Sequence, residues 1–120
     1  MLPAAYRLRD GDGFRSATRR GTRASSRRLV VHLRLPETES DEGERSPSKV
    51  GFVVGRQVGT AVVRNVTKRR LRHIVRDRLD QLPAGSTLVV RAKPSAAGVS
   101  SVELRSDLDR AMARLELDVP

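Results

Sequence analysis

Apolar and polar residues alternate strictly along RRLVVHLRL. Leu29, Val31, Leu33 and Leu35 fall on one face, and Val30, His32 and Arg34 on the other. A period of two sends successive side chains to opposite sides of an extended chain, so this segment is predicted to be a half-buried strand. Lys49 to Gly55, KVGFVVG, is a second strand, apolar enough to be central in its sheet. Ser86 to Lys93, STLVVRAK, is a third, and its unbroken apolar run predicts burial on both faces. Between the second and third strands the period lengthens. Gly59 and Thr60 open a helix that runs to about Leu82, where Pro83-Ala84-Gly85 breaks it. Leu71, Ile74, Val75, Leu79 and Leu82 point one way at about 100° per residue and form the stripe that packs on the sheet. Leu104, Leu108, Ala111, Met112 and Leu115 keep helical spacing in a last helix, with Ser100 and Glu103 placed as a capping box. Asp10 to Gly21 reads as a short first helix, with Asp12 to cap it and Gly21 to end it.

Pro36 to Ser48, PETESDEGERSPS, is acidic and rich in turn formers, and is expected to be an exposed, mobile loop joining the first two strands. The predicted order is therefore α-β-β-α-β-α. A strand, helix, strand succession requires a crossover and a parallel pair. Residues 1–120 are read as one α+β domain, a sandwich with a small central sheet and helices packed on it. A chain of 120 residues supports one such domain and a real but small core.

Charge changes this picture most. Lys and Arg number 24 against 14 acids, a formal net charge of +10. So large an excess repels itself, and a polyanionic partner relieves the repulsion. Nucleic acid is the first candidate and an anionic membrane surface the second. Only Lys49, Lys68 and Lys93 are lysines. Arginine suits bidentate phosphate contacts, and a GC-rich genome produces the same bias. Without cysteine there is no disulfide and no thiolate zinc site. No segment is apolar for long enough to span a bilayer, and the start, MLPAAYRLRDGD, lacks an apolar signal segment. A cytoplasmic location is expected.

The cations concentrate on the long helix. Between Arg64 and Asp80 there are seven cations and two acids, too few carboxylates for i,i+4 pairing to quiet the repulsion. Asn65, Lys68, Arg69, Arg72 and Arg76 fall within an arc of roughly 100° beside the apolar stripe. His73 and Arg70 extend the polar side, and Arg64 lies in the first turn. A strip of guanidinium groups on a rigid helix holds phosphates in fixed geometry, whereas the bland alternative is a solvated basic face. Aromatics are limited to Tyr6, Phe14 and Phe52, so recognition dominated by base stacking is not expected.

GFVVGRQVGTAVVRNVTKRRLRH resembles the central signature region of the bacterial ribonuclease P protein subunit. That signature reads Arg-Asn-Arg-x-Lys-Arg-x-x-Arg, and Arg64, Asn65, Lys68, Arg69 and Arg72 match it. Val66 stands where the signature has arginine, which removes one cation. The segment from Tyr6 to Arg34 resembles the family's first helix and first strand, and STLVVRAKPSAA its last strand and following loop. The resemblance implies a protein that binds a large catalytic RNA, in a complex that removes the 5′ leader from precursor tRNA. Catalysis would belong to the RNA and to magnesium ions, with no catalytic residue and no metal held by the protein. It implies RNA binding through Arg64, Asn65, Lys68, Arg69 and Arg72, which Arg76 joins from the helical arc, with Arg56 keeping a charge at the strand end where Gln57 does not. It implies a leader-binding cleft between the first helix and the sheet. Phe14 matches a cleft aromatic of the family, and Thr18 and His32 stand where many members carry aromatics. The family's sandwich, shared with a ribosomal protein domain, has a left-handed crossover around the long helix, against the general rule.

Other readings remain beside it. Phe14 is equally a core residue, and a lone strand histidine such as His32 is more often surface or satisfied than a ligand. Gly51, Gly55 and Gly59 lack the spacing and the Gly-Lys-Ser/Thr of a phosphate loop, and read as turns. No nucleophile and base sit together, and the carboxylates cluster in a loop, a poor place for a preorganised site. The rival functions are a structural RNA-binding protein such as a ribosomal protein, and a basic DNA-binding protein. For the second, neither a zipper nor helix-turn-helix spacing is present, so DNA is not an expected partner; a membrane is not expected either.

Overall fold

Leu88, Val89 and Val90 are almost wholly buried on a strand whose neighbours point to opposite faces, so this strand lies in the middle of the sheet. A computed structural model of the chain describes residues 6–8, 11–35 and 48–118. Within it, β1 is Thr22–Ser25, β2 Leu29–Arg34, β3 Lys49–Val53 and β4 Thr87–Ala92, and the sheet order is β1-β2-β4-β3. The hairpin β1–β2 is antiparallel, with Arg23 opposite His32, and β2–β4 is antiparallel, with Val31 opposite Val90. β3 and β4 are parallel, with Val50 opposite Leu88, as the strand, helix, strand order requires. The helices are α1, Gly11–Arg20, α2, Ala61–Arg76, and α3, Ser101–Asp118.

The two faces of the sheet are covered differently. Leu29, Val31, Val50, Leu88, Val90 and Ala92 form a continuous core with Leu71, Ile74 and Val75 of α2 and Leu104, Leu108, Ala111 and Leu115 of α3. By alternation Val30, His32 and Val89 point the other way, and α1, whose Ala17 is fully buried, packs against β2 and β4 there. His32 is thus buried, on a strand expected to be covered on one face only.

Four expectations need correction. The sheet has four strands, not three, so the order is α-β-β-β-α-β-α. β1 escapes sequence periodicity because Thr-Arg-Ala-Ser has one apolar side chain, and what makes it a strand is its ladder to β2. Next, β3 is an edge strand rather than a central one. Its apolar character serves an edge that is itself covered, since Arg7 bridges Val50 and the Leu8 amide donates to the Val50 carbonyl at 2.8 Å. Third, α2 ends at Arg76, well before Leu82. The Arg78 amide donates to the Val75 carbonyl and its guanidinium to the Ile74 carbonyl at 3.0 Å, closing the helix one turn early. Leu79 and Leu82 still reach the core from a following 3₁₀ turn, Leu79–Gln81. Last, α1 begins at Gly11, so Asp12 lies inside its first turn instead of capping it. The segment 36–47, expected as a mobile loop, lies outside the described residues.

Gly21 does end α1, its amide donating to the Ala17 carbonyl at 3.1 Å. It does so by close approach: a β-carbon there would stand 2.5 Å from that carbonyl oxygen and 2.6 Å from that of Leu33. Ser100 caps α3 by accepting the Glu103 amide at 3.3 Å. The side of α3 facing the hairpin then clamps it. Asp107, 3% exposed, receives Arg28 at 3.0 Å, and Arg114 donates to the Ser25 carbonyl. Lys93 donates to the Ser26 carbonyl at 2.7 Å. Removing one partner of a buried ion pair strands the other, at a cost of about 3 kcal/mol or more. The variant Asp107→Ala is therefore expected to lose about 3 kcal/mol, read as a lower urea midpoint with an unchanged slope.

Candidate nucleic-acid interface

The strip on α2 is aimed by the turn that precedes it. A 3₁₀ turn, Arg56–Val58, ends at Gly59, which has φ 153° and ψ −161°, a region that only glycine occupies at ease. Thr60 follows as N-cap, its hydroxyl accepting the Val63 amide at 3.3 Å. Burial of Leu71, Ile74 and Val75 then fixes the helix about its axis. Asn65, Arg69, Arg72, His73 and Arg76 are left exposed and Lys68 half-buried.

Asn65, Lys68, Arg69, Arg72 and His73 line one concavity of about 610 Å³. The structure therefore brings together four of the seven residues expected to bind RNA, and adds His73. Arg76 is exposed at the C-terminal end of α2, where a cation meets the negative end of the helix dipole. Arg56 is exposed on the turn before the helix. Arg64 is half-buried, and its Nε has no partner. Arg70 is drawn away, donating to the Val99 carbonyl at 2.7 Å. Val66 is half-buried, so the position that lacks the signature arginine lies at the margin of the apolar stripe.

Electrostatically the strip is uncompensated. α2 carries Arg64, Lys68, Arg69, Arg70, Arg72 and Arg76 and no acid. Lys68, Arg69, Arg72 and Arg76 have no ion-pair partner among the described residues. Like charges at i,i+4, as in Lys68–Arg72 and Arg72–Arg76, each cost a few tenths of a kcal/mol (~0.2–0.5). Where arginine serves the fold of this protein it is tied: Arg28 to Asp107, and Arg78 to Asp109 at 3.0 Å.

Of the three residues expected in a leader cleft, Thr18 and His32 fall around the other face of the sheet. Thr18 is half-buried on α1, its hydroxyl donating to the Arg15 carbonyl at 3.0 Å. Phe14 belongs to the same helix, and its side chain lies outside the described residues. His32 is 6% exposed, and its Nδ1 has no partner. Burial, and then the charges of Arg23 and Arg91, hold its pKa below the ordinary histidine value. Those two arginines were missed by sequence reasoning. Alternation within a strand is visible in the sequence, but the pairing that sets Arg23 and Arg91 around His32 is visible only in the register. Among the described residues no three His, Asp or Glu side chains gather as a metal site, and no helix is long and apolar enough to cross a membrane.

A histidine buried in its neutral form destabilises the fold once protons are abundant. The unfolded chain takes up the proton as pH falls through about 6.5, the folded chain only lower, so stability drops across that window. His32→Gln is expected to shrink the loss of melting temperature between about pH 7.5 and pH 5.5. An equal loss in the variant would assign the acid sensitivity to other groups.

The family described as Ribonuclease P matches residues 2–116. A ribonuclease P protein component from a Nocardioides species is 51% identical over 119 residues, covering 99% of this chain and 98% of the relative. One from Streptomyces griseus is 53% identical over 117 residues, covering 96% and 95%. Among solved structures, the ribonuclease P protein of Thermotoga maritima is similar with a TM-score of 0.72 at 27% identity, covering 90% of this chain and 96% of that one. That of Staphylococcus aureus has the same fold, with a TM-score of 0.75 at 21% identity and coverage of 90% and 93%.

Proposed function

Because this chain belongs to the bacterial ribonuclease P protein family, we propose that it binds the ribonuclease P RNA through α2 and holds the 5′ leader of precursor tRNA against the sheet face under α1. The observation that carries the first half is the unneutralised row of Asn65, Lys68, Arg69 and Arg72 around one concavity, with Arg64, Arg76 and Arg56 around it. A row of cations and an amide on a rigid helix presents donors at the spacing of one face, which suits the phosphates of a folded RNA. The second half rests on the shared face of α1 and the sheet, where Phe14, Thr18 and His32 are the proposed leader contacts.

In this reading the protein supplies position, not bond-breaking. Holding the leader converts a loosely attached strand into an oriented one, and orientation lowers the barrier of a reaction carried out elsewhere. Magnesium, bound by the RNA, supplies the metal chemistry of hydrolysis. The described residues offer no clustered donor set for it, and this chain is given no part in holding it. The complex works in the cytoplasm, and neither a membrane nor DNA is a partner. The rival of a ribosomal protein falls away, since the relatives that cover nearly the whole chain are ribonuclease P protein components.

The direct test is cleavage of a labelled precursor tRNA by a bacterial ribonuclease P RNA at low magnesium. Adding the protein is expected to restore accurate 5′ cleavage. If the protein binds that RNA and cleavage stays unchanged, the proposal is wrong. Replacing two cations of the strip, Arg69→Ala with Arg72→Ala, is expected to weaken binding to the RNA and to lower the slope of log affinity against log salt by about two. An unchanged slope removes the strip from the interface.

A further inference from the structure

The sheet face beneath α1 carries charge that neither the core nor the strip on α2 uses. Arg23 on β1 stands directly opposite His32 on β2. Arg91 on β4 stands opposite Val30, two residues along β2 from His32. Opposed residues in a ladder point to the same side, so Arg23, His32 and Arg91 share the face on which α1 packs. Both arginines are exposed. Neither has a hydrogen-bond or ion-pair partner among the described residues, in contrast to Arg28 and Arg78. Two strand spacings and one two-residue step put their α-carbons about 12 Å apart. That separation suits two phosphates of one strand better than a single shared anion.

Between them lies His32, buried and low in pKa. A third cation at that point would crowd the other two. A neutral ring does not, and its Nδ1 stays buried without a partner. The chemistry that fits is a flexible polyanion gripped by its backbone. Base stacking has little to work with, because Phe52 turns its side chain to the core and the chain has only two other aromatics, Tyr6 and Phe14. Phosphate contacts carry no sequence information, so such a surface accepts leaders of differing sequence.

We propose that Arg23 and Arg91 are phosphate-binding residues that hold the single-stranded leader along the exposed margins of the sheet face under α1, with the buried, neutral His32 keeping the ground between them uncharged. This rests on the reading that the leader occupies the face under α1, and the experiment separates the two. The ribonuclease P RNA is assembled with wild-type protein, with Arg23→Ala plus Arg91→Ala, or with Arg23→Lys plus Arg91→Lys. Affinity is measured for precursor tRNA and for leaderless tRNA over a range of salt. Both side chains are exposed and unpartnered, so the variants are expected to fold, which circular dichroism and unchanged affinity for the RNA subunit check.

The alanine pair is expected to lose about tenfold in affinity for the precursor, with leaderless tRNA unaffected and the salt slope lower by about two. The lysine pair is expected to keep the slope. A leader with neutral methylphosphonate linkages is expected to bind wild type and the alanine pair alike. If the leader strengthens wild-type binding but the alanine pair loses nothing, or loses equally for leaderless tRNA, the two arginines are not leader contacts. If the leader adds nothing to wild-type affinity, the occupied face itself is wrong, and this assignment goes with it.

Discussion

β4 buries apolar side chains on both of its faces, and these have to be kept from water. Most of the architecture follows from that requirement. Leu88 and Val90 face α2 and α3 across the main core, and Val89 faces α1 across a thinner layer. One helix covers the second face at Val30, His32 and Val89, leaving Arg23 and Arg91 exposed beside it, whereas two helices close the first. Burial of Leu71, Ile74 and Val75 sets the rotation of α2. The exposed side of that helix is thereby fixed too, and its cations can form a row instead of a cloud. At roughly 1.5–3 kcal/mol for each large apolar side chain buried, the stripe outweighs the few tenths lost to each like-charge neighbour. Packing energy therefore holds together a surface that electrostatics alone would disperse.

Arginine plays two distinct parts in this molecule, told apart by its partners. Arg28 and Arg78 meet carboxylates, and Arg70 and Arg114 meet carbonyls; these are struts between elements. Lys68, Arg69, Arg72 and Arg76 on α2, and Arg23 and Arg91 on the sheet, meet none among the described residues. Two acids, Asp107 and Asp109, form the struts near the hairpin and at the end of α2, and neither pairs with the strip. A net charge of +10 is thus an average over a neutralised scaffold and two exposed cationic surfaces.

Much of this was legible in the sequence, for identifiable reasons. The stripe of Leu71, Ile74 and Val75, the doubly buried β4 and the spacing of α3 are local periodicities, and local periodicity is what a sequence displays. The matched positions from Arg64 to Arg72 were legible as a family motif, and five of the residues on and beside it do gather around one concavity. What was not legible depended on partners distant in sequence. β1 is a strand only because β2 pairs with it. β3 is apolar at an edge because residues near the amino end lie along it. α2 ends where Arg78 closes its last carbonyls, and that arginine is held by Asp109, 31 residues on. Arg23 and Arg91 look like scattered surface charge until the register sets them around a buried histidine.

The clamp on the β1–β2 hairpin has a consequence in time. Its fasteners come from far downstream: Asp107 is 79 residues from Arg28, and Arg114 is 89 residues from Ser25. A growing chain emerges amino end first, so the hairpin leaves the ribosome long before the helix that locks it. Until then Leu29 and Val31 lack their α3 cover on the core side, and Arg28 lacks its carboxylate. Closure of this fold thus waits for residues 101–115: the first hairpin is the earliest sheet element made and among the last to be fastened.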